Sequence, residues 1–278
     1  MNLKPSFLST ALIASQLLAA ASHAAAPAPT ASTTSTETVP SLREMTWASY
    51  SGYFSGPSLA NPSIHTLDTS TGDMTDMEGV DHVFTLGVSL PKNKKIAITG
   101  NFRFLSEFGG AGNSVRDPWL ALKNGSVYSN GKFNLSMDVR AYIPVTSYER
   151  LYTSIRTTQT ATYQANSRIT LGMQSFLRGY VNRADLGGKN GDLFVSAFSN
   201  YAINDKIALT AWSDLVQHFY TFGKDGVDLS ANIALGVSYD ITPRWNINPQ
   251  LIMVPSAVSL GNALEKTALT ASISGKLL

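Results

Sequence analysis

The stretch Leu229–Val254, LSANIALGVSYDITPRWNINPQLIMV, decides how the chain reads. Leu229, Ala231, Ile233, Leu235, Val237 and Tyr239 are apolar, while Ser230, Asn232, Ala234, Gly236, Ser238 and Asp240 between them are small or polar. A period of two is the signature of a strand whose faces meet different media. Beyond a turn at Ile241-Thr242-Pro243 the parity continues, with Trp245, Ile247, Pro249, Leu251 and Met253 on one face and Arg244, Asn246, Asn248 and Gln250 on the other. A sandwich strand also alternates, but its apolar face looks into a core. Here Arg, Asn and Gln crowd the opposite face, and Tyr239 and Trp245 flank the turn where an aromatic girdle borders a bilayer. The hairpin therefore reads as two membrane-crossing strands with lipid on one side and water on the other.

Composition agrees. At 278 residues, 44% hydrophobic and 14% charged, the chain is too polar for a helical membrane protein and low in charge for a soluble one. The absence of cysteine excludes a disulfide framework and a thiolate metal site. A net charge of +2 leaves no electrostatic footprint for nucleic acid.

The amino end carries an export pattern. Lys4 precedes an apolar stretch, Phe7–Ala21, and Ser22-His23-Ala24 supplies small residues where a signal peptidase cuts, so residues 1–24 read as a signal peptide, with Ala26 as the other cleavage candidate. The apolar run is shorter than the ~20 residues of a spanning helix. Residues 25–44, rich in Ala, Pro, Thr and Ser, read as a flexible periplasmic tail, and residues 45–278 as the folded domain.

Working outward from the first hairpin, the same rule finds more strands. His82, Phe84, Leu86, Val88 and Leu90 are paired across the basic turn Pro91-Lys92-Asn93-Lys94 with Ile96, Ile98, Gly100, Phe102 and Phe104. Phe133, Leu135, Met137, Val139, Ala141 and Ile143 alternate with Asn134, Ser136, Asp138, Arg140 and Tyr142, so every ionisable group of that strand falls on one face. A charge on the lipid face at the bilayer midplane costs ~2–4 kcal/mol, which makes this segregation more telling than the number of apolar residues. Arg168–Tyr180, Leu193–Ile203, Ile207–Tyr220 and Thr267–Leu277 read likewise, while Met45–Ser55, whose facing stays open, and Trp119–Tyr128 are less regular. Thr-rich Tyr152–Tyr163 enters as a strand because an even number of crossings must separate the inner turns at Ser129–Lys132 and Asn204–Asp205. The expected fold is all-β: a membrane-spanning antiparallel up-and-down β-barrel of about twelve strands. Gly56–Val80 is its first long outer loop. The acids Asp68, Asp73, Asp76, Glu78 and Asp81 lack the ligand spacing of an EF-hand, so no metal site is expected there.

An export signal, alternating strands of roughly ten residues, short inner turns, long outer loops and a strand reaching the carboxyl end resemble the transmembrane β-barrel proteins of Gram-negative outer membranes. The likeness spans Met45–Leu278 and is architectural. It implies residence in the cell outer membrane, contact with outer-membrane lipid, insertion by the barrel-assembly machinery, and no cofactor. Such proteins commonly end in Phe, which that machinery recognises, whereas this chain ends Lys276-Leu277-Leu278, a departure that bears on recognition strength.

On these facings the lumen receives Arg103, Arg140, Arg156, Arg168, Arg178, Arg244 and Lys276 against Asp138 and Asp214, with His218 beside them. In a narrow pore of low dielectric, such a positive excess draws anions and repels cations. Small twelve-stranded channels that pass acidic sugars are similar, and the resemblance implies a porin-like channel for passive diffusion of small anionic or polar solutes. Alternatively, the arginines pair with Asp138, Asp214 and backbone carbonyls and plug the lumen, leaving a structural or adhesive barrel that acts through its outer loops. An enzyme would need a catalytic dyad. Asp214 and His218 share a face but lie about 13 Å apart along a strand, too far for a direct hydrogen bond, so no catalytic site is expected. A soluble lipocalin-like barrel would have an apolar interior, which the inward arginines oppose.

Overall fold

The computed structural model describes residues 41–60, 65–67, 74–76, 79–107, 113–145, 153–181, 189–220, 229–255 and 263–278; residues 1–40, read from sequence as a signal peptide and most of a tail, lie outside them. The chain opens with one helical turn, α1 (Leu42–Met45), in which the Ser41 backbone N–H and hydroxyl donate to the Glu44 carboxylate at 2.8 and 3.1 Å. These donors, the backbone one first, hold the Glu44 carboxyl below its ordinary range.

Strands facing lipid have no solvent to satisfy their backbone, so they must close on one another. The strands are β1 (Thr46–Ser58), β2 (His65–Leu67), β3 (Met74–Asp76), β4 (Gly79–Leu90), β5 (Asn93–Glu107), β6 (Asn113–Ser129), β7 (Phe133–Tyr142), β8 (Ser154–Gln164), β9 (Ile169–Tyr180), β10 (Lys189–Ala202), β11 (Ile207–Tyr220), β12 (Leu229–Thr242), β13 (Trp245–Met253) and β14 (Thr267–Lys276). Twelve of them, β1 and β4 to β14, form an antiparallel barrel in which each pairs with the next and β14 closes on β1. The short turns and both barrel ends share one rim, called inner here, and the longer connections share the outer rim.

The Gly56–Val80 segment, expected as plain loop, is partly strand. β1 runs on to Ser58, and β2 and β3 form a small hairpin joined to it where Pro57 faces Thr66. Beyond Phe54, the last β1 residue paired with β4, that edge of β1 is open, and β2 uses it through Thr66, which pairs on its other side with Thr75 of β3.

The outward positions form an apolar belt. Leu86, Ile98, Leu120, Leu122, Ile155, Leu177 and Leu235 are each more than half exposed. The exposed cations Lys92, Lys94, Lys132, Arg168, Lys206, Arg244 and Lys276 all lie at turns or strand ends of the inner rim. A soluble monomer shows contiguous apolar patches of only a few hundred Å², so a belt around the whole barrel is a lipid face. Pairing also settles β1: Tyr50 faces Phe84, which faces Phe102, so Tyr50 points out and Trp47 and Tyr53 point in. On the outer face the Tyr50 hydroxyl and His82 Nδ1 share a hydrogen bond of 2.8 Å, and the His82 ring stacks on Phe104 at 4.5 Å.

Two glycines are required by geometry. Gly131, with φ at +87°, makes the β6–β7 turn, and Gly172 lies beneath the ring of Phe198, its partner on β10, where a Cβ would collide with the ring. The register shows the tilt of the strands directly. The row of paired residues that starts at Phe133, at the inner end of β7, runs through Tyr163, Leu171, Ser199, Ala211, Leu235 and Leu251 to Leu269, near the outer end of β14. Rows of neighbours therefore climb the wall.

Leu235, outward and near the middle of β12, tests the lipid face. Leu235→Arg should lower the unfolding free energy of the barrel in lipid vesicles by about 2–4 kcal/mol, whereas Arg244→Leu at the inner turn should change it by less than about 1 kcal/mol, both read by urea titration.

Candidate functional site

Alternation places half of each strand's side chains inside a barrel this narrow, so inward residues on adjacent strands stand within one strand spacing of each other. Toward the inner rim most of these residues are small and polar, with Ser49, Ser51, Thr85, Ser136, Thr160 and Ser238 half-buried and Trp47 and Lys123 the large ones among them. In the outer half large side chains are buried against one another: Phe194 is 0% exposed, Phe176, Trp119 and Tyr142 are also buried, and Trp212 is buried at mid-height. The lumen thus opens inward as a hydroxyl-lined vestibule and narrows to a packed zone nearer the outer rim.

One wall of that zone is basic and aromatic. Arg140 of β7, Arg156 of β8 and Arg178 of β9 are direct register neighbours, and Asp192 of β10 follows Arg178 in the same row. Each guanidinium lies over rings. Arg140 is 5.7 Å from the Trp119 centroid, Arg156 is 4.7 Å from Phe176 and 5.8 Å from Tyr142, and Arg178 is 4.3 Å from Tyr142 and 4.7 Å from Tyr180. Cation–π attraction at these distances holds the planar groups by their faces and leaves their N–H edges to other partners. Arg140 spends its edge on Asp138, with bonds of 2.5 and 3.0 Å, and Arg103 spends its own on Asp81, Nε lying 2.9 Å from each carboxylate oxygen. Arg178 Nε donates to Ser154 Oγ at 2.8 Å, and the Tyr180 hydroxyl donates to Asp192 at 2.6 Å. Lower on this wall the Lys123 ammonium stands 5.7 Å from the Trp47 ring.

The facing wall is built mainly of amides and hydroxyls, with Asp214 as its carboxylate. Asn246, Asn248, Gln250, Thr270 and Ser272 are buried there, Trp212 Nε1 donates to Gln250 Oε1 at 3.1 Å, and Asn232 donates to Asp214 at 2.9 Å.

Of the residues read from sequence as lumen-lining, Arg103, Asp138, Arg140, Arg156, Arg178 and Asp214 point inward along the barrel. Arg168 and Arg244 lie outside the strands, before β9 and in the β12–β13 turn, and are exposed at the inner rim; Lys276, the last residue of β14 and paired with the inward Ser49, keeps the inward parity but is exposed at the same rim, where its long stem carries the charge out to water. The His218 side chain lies outside the described residues; its backbone faces Asp192. Asp81, Asp192, Arg116 and Lys123 join the inward set, so the lumen as a whole is nearer to charge balance than the sequence suggested, and the positive excess is concentrated on β7–β9. Asp81 and Asp192 each lie one residue before the alternation read from sequence at His82 and Leu193, and the strands extend past it to include them. Among the described residues no group of side chains is arranged to hold a metal ion.

No family model and no curated protein matches the chain. Among solved structures, an outer-membrane channel from Pseudomonas putida F1 superposes with a TM-score of 0.54 at 12% identity, covering 87% of this chain and 97% of its own. The NanC porin superposes with a TM-score of 0.51 at 10% identity, covering 84% of this chain and all of its own. At such identities the likeness is one of fold. Together, that fold and the apolar belt define an outer-membrane β-barrel protein.

The Arg103–Asp81 pair gives a test of the packed zone. Asp81→Leu leaves a buried guanidinium without its carboxylate and should destabilise the barrel by about 3–5 kcal/mol. The double variant Asp81→Leu/Arg103→Met should recover most of that loss in the same urea titration.

Proposed function

We propose that this protein is a small porin-like channel through which small anionic or polar solutes diffuse passively across the outer membrane of a Gram-negative cell, and that it is not an enzyme. The observation that carries the reading is the row of Arg140, Arg156 and Arg178 on one wall of the narrow zone, with Asp138 as the carboxylate bonded to it from the same strand. Water is scarce there, and fixed positive charge lowers the energy of a passing anion and raises that of a cation. The cations of the inner rim add a second, screened attraction at the vestibule mouth. Opposite the arginines, buried amides and hydroxyls offer a polar solute hydrogen bonds without repelling its charge.

A second reading draws on a different observation, the near-complete burial of the outer-half side chains, which favours a stoppered barrel acting through its outer loops. Single-channel recording in a planar bilayer under a salt gradient separates the two. Discrete steps with a reversal potential on the anion side are expected, and Arg140→Ala or Arg178→Ala should each reduce the anion-to-cation ratio. For one charge seen from roughly 10 Å at an effective dielectric of about 40, the anion loses about 0.8 kcal/mol and the cation gains as much, so the ratio should fall by about an order of magnitude. Silence from an intact barrel would favour the stoppered reading.

A further inference from the structure

We propose that Arg156 is the centre of a saturable binding site for a small carboxylate-type oxyanion inside the lumen. Arg156 is 1% exposed, and its Nε makes no hydrogen bond. Its register neighbours on either side, Arg140 and Arg178, are also cations. Among the described residues no carboxylate is bonded to Arg156: Asp138, near enough to act on its charge, holds Arg140, Asp81 holds Arg103, Asp192 accepts the Tyr180 hydroxyl and Asp117 accepts the Val145 backbone N–H. An arginine cannot shed its proton to escape this position. A guanidinium removed from water and set between two like charges is strongly unfavourable unless an anion accompanies it.

The surroundings specify what kind of anion. The Arg156 guanidinium carbon lies over the Phe176 and Tyr142 rings, 4.7 and 5.8 Å from their centroids, and the unbonded Nε leaves the edge that carries it for recognition. That edge presents two parallel N–H donors, the geometry that matches the two oxygens of a planar carboxylate. Thr158, two residues further along the same face of β8, is buried and its hydroxyl has no partner, which supplies a third donor. Chloride would use only the charge of this arrangement, not its fork. The inference deepens the channel reading, since such a site makes flux saturate with solute, but the binding itself is measurable without a bilayer.

The experiment titrates the refolded full chain, in zwitterionic detergent, with sodium acetate replacing sodium chloride at constant ionic strength, and follows the unfolding temperature. The expected result is a saturable rise of several degrees. Arg156→Met should abolish the acetate response, and its unfolding temperature in chloride should exceed that of the unsubstituted protein. Arg156→Lys, which keeps the charge but loses the fork, should bind acetate about tenfold more weakly. Should Arg156→Met not refold, Thr158→Val serves instead, with a severalfold weaker midpoint expected. No acetate response in the unsubstituted protein would overturn the site, as would an unchanged response in Arg156→Met or an unchanged midpoint in Thr158→Val. A silent bilayer recording beside a normal acetate titration would count against the channel reading and leave the site standing.

Discussion

A backbone N–H or C=O that faces hydrocarbon has only another strand to bond with, and everything else in this molecule follows from that constraint. It forces β14 back onto β1, with the Leu277 N–H bonded to the Ala48 carbonyl at 2.9 Å beyond the last ladder pair. It also divides the side chains by parity. Outward positions answer to lipid and vary little in chemistry, while inward positions are released from that demand and carry nearly all the charge of the strands. Because each inward residue stands beside two others on neighbouring strands, charges in the lumen meet as rows and not singly. Arg140, Arg156 and Arg178 belong to three strands and are far apart in sequence, yet the register makes them adjacent.

The two walls of the packed zone solve the cost of burying polar groups differently. On the amide wall most groups are uncharged amides and hydroxyls, and contacts such as Trp212 to Gln250 and Asn232 to the Asp214 carboxylate satisfy donors locally. On the basic wall, carboxylates from the same or a neighbouring strand hold Arg140 and Arg103, and rings hold the remaining guanidinium faces. The aromatic residues therefore act as seats for cations as well as filling for the lumen, which is why Trp119, Tyr142 and Phe176 face inward in a protein whose outer belt would also accept them.

The strands and their facings were largely legible in the sequence because parity is a local signal. β7, β12 and β13 read directly, and Tyr152–Tyr163, weak in itself, followed from the need for an even number of crossings. Where parity failed there was a local cause. In β1 aromatic residues occupy both faces, Trp47 and Tyr53 inside, Tyr50 and Phe54 outside. In β6 the ladder slips between the Asn101–Trp119 and Arg103–Arg116 pairs, and this bulge hid the inward Arg116. The assignment of Arg168 and Arg244 to the lumen extended parity past the strand ends, where it no longer constrains a side chain, and Lys276 keeps its parity but stands at the last rung of β14, where its side chain reaches water. The alignment of the three arginines depends on turn lengths and register across several hairpins, which alternation within any one strand does not encode.

The climbing rows of the wall have a geometric consequence for the basic zone. With neighbouring strands ~4.8 Å apart and tilted by ~40°, each step to the next strand rises ~3 Å along the barrel axis. Each step also turns by one-twelfth of a circle. Arg140, Arg156 and Arg178 are therefore the treads of a short spiral stair, not a collar. A point charge can follow such a stair by rotating as it advances, always beside one tread. A rigid body with two charges touches two treads at once only when their separation and slant match the pitch, so the handrail itself distinguishes shapes that a flat ring of the same charge would treat alike.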